Sequence, residues 1–160
     1  MLIATLEAKD PDKELWAWGS DQKARFWGRR MLFETTIHRA DVELALGRGP
    51  TVETATALDG IDEFLDNLPH ASYFAPDVNK LRSDDRVLRL HAGDAGVDWT
   101  IRLLSDSFEW GHDGSAAPDA TVSGGAGELL LFVYGRRTPD EMETIDNRDL
   151  VDLWVINSRI

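Results

Sequence analysis

Apolar residues recur at helical spacing from Asp21 to Leu46 (DQKARFWGRRMLFETTIHRADVELAL). This run has no proline and one internal glycine, and Gly47 follows it as a C-cap. The pattern predicts one long helix. On a wheel of about 100° per residue, Trp27, Met31, Val42 and Ala45 fall to one side of Glu34. Phe26, Phe33, Ile37 and Leu44 fall to the other, while Arg30, His38 and Asp41 lie within about 40° of Glu34. Ionisable side chains are therefore expected at the centre of the buried arc, where binary patterning would place leucines.

Further along, Arg48-Gly49-Pro50-Thr51 reads as a turn, with Thr51 as N-cap of a second helix over residues 52–67 that Leu68-Pro69 ends. From Arg86 the period changes. Residues 86–91 and 97–103 read as strands around the turn 92–96, and 97–103 alternates as a half-buried strand does. Shorter strands are expected at 108–111 and 120–123, a helix at 126–134 closed by Gly135, a strand near 142–145 and a last helix at 149–157. Residues 1–9 read as the tail of a helix that Asp10-Pro11-Asp12 breaks. The fold class is α+β: a partial helical bundle over 1–67, a connector over 68–85, and a small antiparallel-sheet α+β domain over 86–160.

A buried charge without a partner costs several kcal/mol, so the Glu34 cluster must be paired or bound to a metal. Two readings stand. In one, Glu34 pairs with Arg30 and His38 with Asp41 as a structural network. In the other, Glu34 and His38, one turn apart, are two ligands of a divalent ion, and Asp41 holds the imidazole in one tautomer. Zinc takes at least three protein ligands, so a third must come from elsewhere.

Composition narrows the partners. The chain has 160 residues and no cysteine, which excludes disulfides, thiolate ligation and a cysteine nucleophile. Thiol chemistry would need a small-molecule thiol. A formal charge of −12 argues against nucleic acid and anionic membranes. No run resembles a membrane span or signal peptide, so a cytoplasmic location is expected. The exposed stripe around Trp27, Met31 and Phe33 predicts a homo-oligomer.

The stretch FWGRRMLFETTIHRADVELALG resembles the last bundle helix of the mycothiol-dependent maleylpyruvate isomerase family, whose fold is a DinB-like four-helix bundle. LRLHAGDAGVDWTIRL, ATVSGGAGELLLFVYGRR and IDNRDLVDLWV are similar to that family's C-terminal, sterol-carrier-like domain. The resemblance implies that Glu34 and His38 are zinc ligands, with Arg30 and Asp41 beside them. It also implies mycothiol as cofactor and a small electrophilic substrate. By the same resemblance an arginine near the active site corresponds to Arg136 or Arg137, which would recognise a carboxylate or enolate-like oxygen. Family members take a third ligand from a histidine on an early helix, which this chain is expected to lack. His70, His91 and His112 do not replace it, and a helix-swapped dimer would rebuild the bundle but would still need a histidine. The competing reading is a noncatalytic small-ligand or lipid-binding protein with a degenerate metal site, in which Leu129 to Tyr134 line a cavity or simply form the core.

Overall fold

The computed structural model describes residues 10–114 and 116–160; the helix tail expected over 1–9 lies outside the described residues. The chain divides into two compact units, one ending at Pro50 and the other spanning Thr51–Ile160. Among the described residues no helix is long and apolar enough to cross a membrane.

The first unit is built on α1 (Ala24–Ala45). The chain enters it through a short bridge between Glu14 and Lys23. The Gln22 amide closes the aromatic connector, accepting from Ala17 N–H at 3.1 Å and donating to the carbonyls of Ala17 at 2.8 Å and Gly19 at 2.9 Å. Trp18 meets Phe26 edge-on at 5.5 Å. Gly47, at φ 68°, ends the helix in the left-handed conformation expected of a glycine cap.

The buried stripe of α1 is Phe26, Arg30, Phe33, Ile37 and Ala40. This corrects the expected arc. Its centre runs through Phe26, Phe33 and Ile37, and Glu34 stands on its shoulder, about 80° away. Phe33 is fully buried, so the expected association stripe of Trp27, Met31 and Phe33 is not one exposed surface.

The second unit opens with α2 (Thr54–Asn67), two residues later than the sequence predicts. Glu53, not Thr51, caps it, its carboxylate accepting from Thr56 N–H at 2.8 Å and Ala55 N–H at 3.1 Å. Those hydrogen bonds hold the Glu53 carboxyl below the usual range, the Thr56 N–H first among them. Here α2 packs on α3 (Ala126–Val133), whereas the expected division placed it with the bundle. The expected connector is a packed part of this unit. Two 3₁₀ helices, Leu68–Tyr73 and Pro76–Lys80, bury Leu68, Ala71 and Val78.

Five strands follow: β1 (Arg86–Ala92), β2 (Val97–Leu103), β3 (Phe108–Gly111), β4 (Ala120–Gly124) and β5 (Thr144–Ile145). They form one sheet in the order β3-β2-β1-β4-β5. Most pairings are antiparallel, as expected, but β1 and β4 run parallel, so the sheet is mixed and not a simple meander. Arg89 helps hold the β3–β4 connection, its Nη2 donating to the carbonyls of Gly114 at 3.1 Å and Ala116 at 2.9 Å. Leu88, Leu90, Trp99, Ile101 and Leu103 form the buried face of the sheet. The run Leu129 to Val133 is buried among the core residues, at no more than 3 % exposure. The last helix is α4 (Arg148–Asn157), with Trp154 fully buried.

Candidate functional site

One turn of α1 carries Glu34 and His38. Their side chains are 43 % and 68 % exposed, so the pair faces solvent and not the buried stripe. The desolvation argument for a bound cation therefore does not hold in the single chain, and the expectation of a buried acid and imidazole is corrected. Periodicity placed apolar arcs on both sides of Glu34, and the Phe33 side alone became the interior.

The local geometry is nevertheless ordered. His38 Nδ1 lies 3.2 Å from Asp41 Oδ2, and His38 Nε2 lies 3.4 Å from Glu34 Oε2. With the proton on Nδ1, shared with Asp41, the Nε2 lone pair is free to act as a donor. Donors at about 2.0–2.2 Å from a tetrahedral zinc lie about 3.4 Å apart, and the Glu34–His38 separation fits that edge. Arg30, 3 % exposed, sets its Nε 3.1 Å from Glu34 Oε1, off the line of a hydrogen bond, and steadies the carboxylate electrostatically. Glu34, His38, Asp41 and Arg30 are thus brought together as the sequence predicts. Among the described residues, no group of three or more His, Asp or Glu side chains is arranged to hold a metal ion. The pair fits in bite and tautomer, and falls short in number.

Arg136 and Arg137 belong to the second unit, and the bonds described for them lie within it. Arg137 is the better fixed: its Nε donates to Glu128 Oε2 at 2.5 Å, and only 13 % of its side chain is exposed. That bond to Glu128 holds the guanidinium pKa above its ordinary value, with Glu141 adding to the field. Arg136 Nη1 donates to the Tyr134 carbonyl at 2.6 Å. Any anion reaching Arg137 competes with Glu128.

The histidines outside α1 take other roles. His91 Nδ1 lies 2.7 Å from Asp98 Oδ1 across β1 and β2. His112 Nδ1 lies 2.9 Å from the Asp98 carbonyl, its Nε2 is 3.1 Å from Asp62 Oδ1, and that same oxygen accepts Trp99 Nε1–H at 2.6 Å. This Asp62–Trp99–His112 cluster ties β2 to α2. The sequence holds no local signal for it, because its members lie on separate elements. His70 is exposed.

Comparisons with known proteins bear on both units. A family model described as the mycothiol maleylpyruvate isomerase N-terminal domain matches residues 1–43, which include Glu34, His38 and Asp41. A second, described as the MDMPI C-terminal domain, matches residues 55–152. A UbiJ-SCP2 ubiquinone synthesis protein is similar in structure at a TM-score of 0.44 and 15 % identity, over 57 % of this chain and 82 % of that one. No curated protein matches the sequence.

Proposed function

Since the chain belongs to the mycothiol maleylpyruvate isomerase family, we propose that it acts with a thiol of the mycothiol class on a small electrophilic substrate, Glu34 and His38 holding a divalent metal ion, best zinc. The observation that carries this reading is the 3.4 Å approach of Glu34 Oε2 to His38 Nε2. Bound there, such an ion supplies Lewis acidity that favours the thiolate form of a thiol cofactor. The chain's own residues prepare the donors. Asp41 faces His38 Nδ1 and would fix the ring, while the buried Arg30 guanidinium draws the Glu34 carboxylate along the helix. Arg136 or Arg137 would offer a guanidinium to a substrate carboxylate, as a bidentate fork suits. The reaction class is isomerisation, in which the thiol is returned, or transfer, in which it stays on the product. We also expect the chain to work as a homo-oligomer.

Elemental mass spectrometry and cobalt substitution test this reading. Purified protein should carry zinc, and Glu34→Ala or His38→Ala should remove it. Titrating a low-molecular-weight thiol into the cobalt-loaded protein should raise a thiolate-to-metal absorption band. Metal-free protein whose melting is unchanged by either substitution would overturn the proposal in favour of a noncatalytic binding protein with a degenerate site. The two-donor count among the described residues is what favours that second reading.

A further inference from the structure

The sheet face turned away from the core carries a hollow. Trp99, Ile101 and Leu103 of β2 point into the core, so Thr100 and Arg102 point the other way. Cross-strand partners share a face, and the register sets Gly111 opposite Thr100 and Glu109 opposite Arg102. The glycine leaves one corner of this square empty: a Cβ there would meet nothing within 4 Å. These residues line a hollow of about 300 Å³, joined by Asp113 and Ala116 from the β3–β4 connection. Arg89, the partner of Thr100 on β1, holds that connection in place through the carbonyls of Gly114 and Ala116.

Thr100 is 7 % exposed, and among the described residues its Oγ1, shielded from water, has no hydrogen-bond partner. A hydroxyl buried in that state costs free energy that a valine of similar shape would not. Charge decides what could satisfy it. Arg102 is already engaged: its Nε and Nη2 fork onto the Asp85 carboxylate, the Nη2 bond at 2.7 Å. Its Nη1 stands 3.7 Å from Glu109 Oε1, beyond hydrogen-bond reach. With Arg89 counted, the carboxylates of Asp85, Glu109 and Asp113 still outnumber the guanidinium groups of Arg89 and Arg102. The surroundings are therefore net negative, on a chain whose formal charge is −12.

We propose that this hollow binds a small organic amine as its ammonium ion, whose N–H groups donate to Thr100 Oγ1 and to the Glu109 carboxylate while its alkyl chain lies against Ala116. An ammonium has three donors and no acceptor, which suits an unsatisfied oxygen beside a carboxylate rim. Once the ion is at the rim, a turn of Thr100 about χ1 between staggered wells brings the hydroxyl to it. An anion would meet Glu109 and Asp113 instead. A bare divalent ion would lack donors, since among the described residues no three His, Asp or Glu side chains are arranged for one. The volume sits at the lower end for small-molecule sites, so the ligand is a short amine. Every residue of the site belongs to the second unit, and the inference does not depend on the metal reading above.

The test uses the full chain and probes of one size: butylammonium, butanol and butyrate. In a proton–nitrogen correlation spectrum, butylammonium should shift the amides of Thr100, Gly111 and Ala116 saturably, and the other probes should not. Thr100→Val should weaken its binding about fivefold, the worth of one hydrogen bond. Glu109→Gln should weaken it about threefold, as loss of an exposed charge does. Gly111→Val should abolish binding by filling the hollow while keeping the melting temperature, because Gly111 has no left-handed φ and the space beside it is open. Without ligand, Thr100→Val should melt no lower than the parent, since the hydroxyl it removes has no partner. Preference for butyrate overturns the choice of an amine. Absence of a saturable shift, or equal shifts with every probe, overturns the site and leaves a hollow that holds only water. Binding that survives Gly111→Val, or a Thr100→Val chain that melts well below the parent, overturns it as well.

Discussion

His38 offers its two ring nitrogens to two carboxylates on the same helix, Asp41 at 3.2 Å and Glu34 at 3.4 Å, and these contacts have different duties. On the proposed metal reading Asp41 sets the tautomer, so Asp41→Ala should keep the fold and lower zinc affinity about 10–100-fold, read by competition with a chromophoric chelator. An affinity unchanged by that substitution would show that Asp41 does not orient the ring. The spacing of Glu34, His38 and Asp41 was legible in the sequence, since helical geometry fixes which side chains share a face. Their exposure was not, because apolar arcs flank the cluster on both sides and only packing decides which is buried. The Asp62–Trp99–His112 cluster was invisible for a related reason: its members share no local period.

Elements in the second unit depend on contacts supplied from a distance. The N-terminus of α3 begins at Gly125, which has no side chain to cap it, and Asp94 in the β1–β2 turn accepts Ala126 N–H at 2.9 Å in its place. Asp94→Ala should therefore lower stability by about 1 kcal/mol, measured as a denaturant midpoint. Two residues past Gly125, a Cβ at Gly127 would stand 3.1 Å from the Val52 carbonyl oxygen. Because that neighbour is backbone, Gly127→Val should cost about 1–3 kcal/mol by overpacking, whereas Gly49→Val, beside open space, should not. The cap of α2 titrates. Glu53 is held below its ordinary pKa of 4.5, so its contribution is full above that pH and is lost as the pH falls through the lowered folded-state value. Acid unfolding of Glu53→Gln should accordingly show a weaker pH dependence below about pH 4.5 than the parent chain. Most element boundaries after Arg86 were readable, because alternation and glycine turns are local signals; the parallel pairing of β1 with β4 joins strands distant in sequence and was not.

At the scale of the whole molecule the chain parts at Pro50. Limited trypsin should cut first after the exposed Arg48 and release a fragment beginning at Gly49. First cleavage after Lys80 or Arg82 would instead favour a boundary within residues 68–85, where the sequence alone set it. What the sequence determined by itself was everything with a short period: the long helix, the strands, the Glu34–His38–Asp41 spacing and the family likeness those residues carry. What only the tertiary structure decided was which faces were buried, that α2 packs with α3, and that Glu34 and His38 look outward. Those outcomes depend on which surfaces find a complementary partner, and a pattern along one chain records that a face is apolar without recording what will cover it.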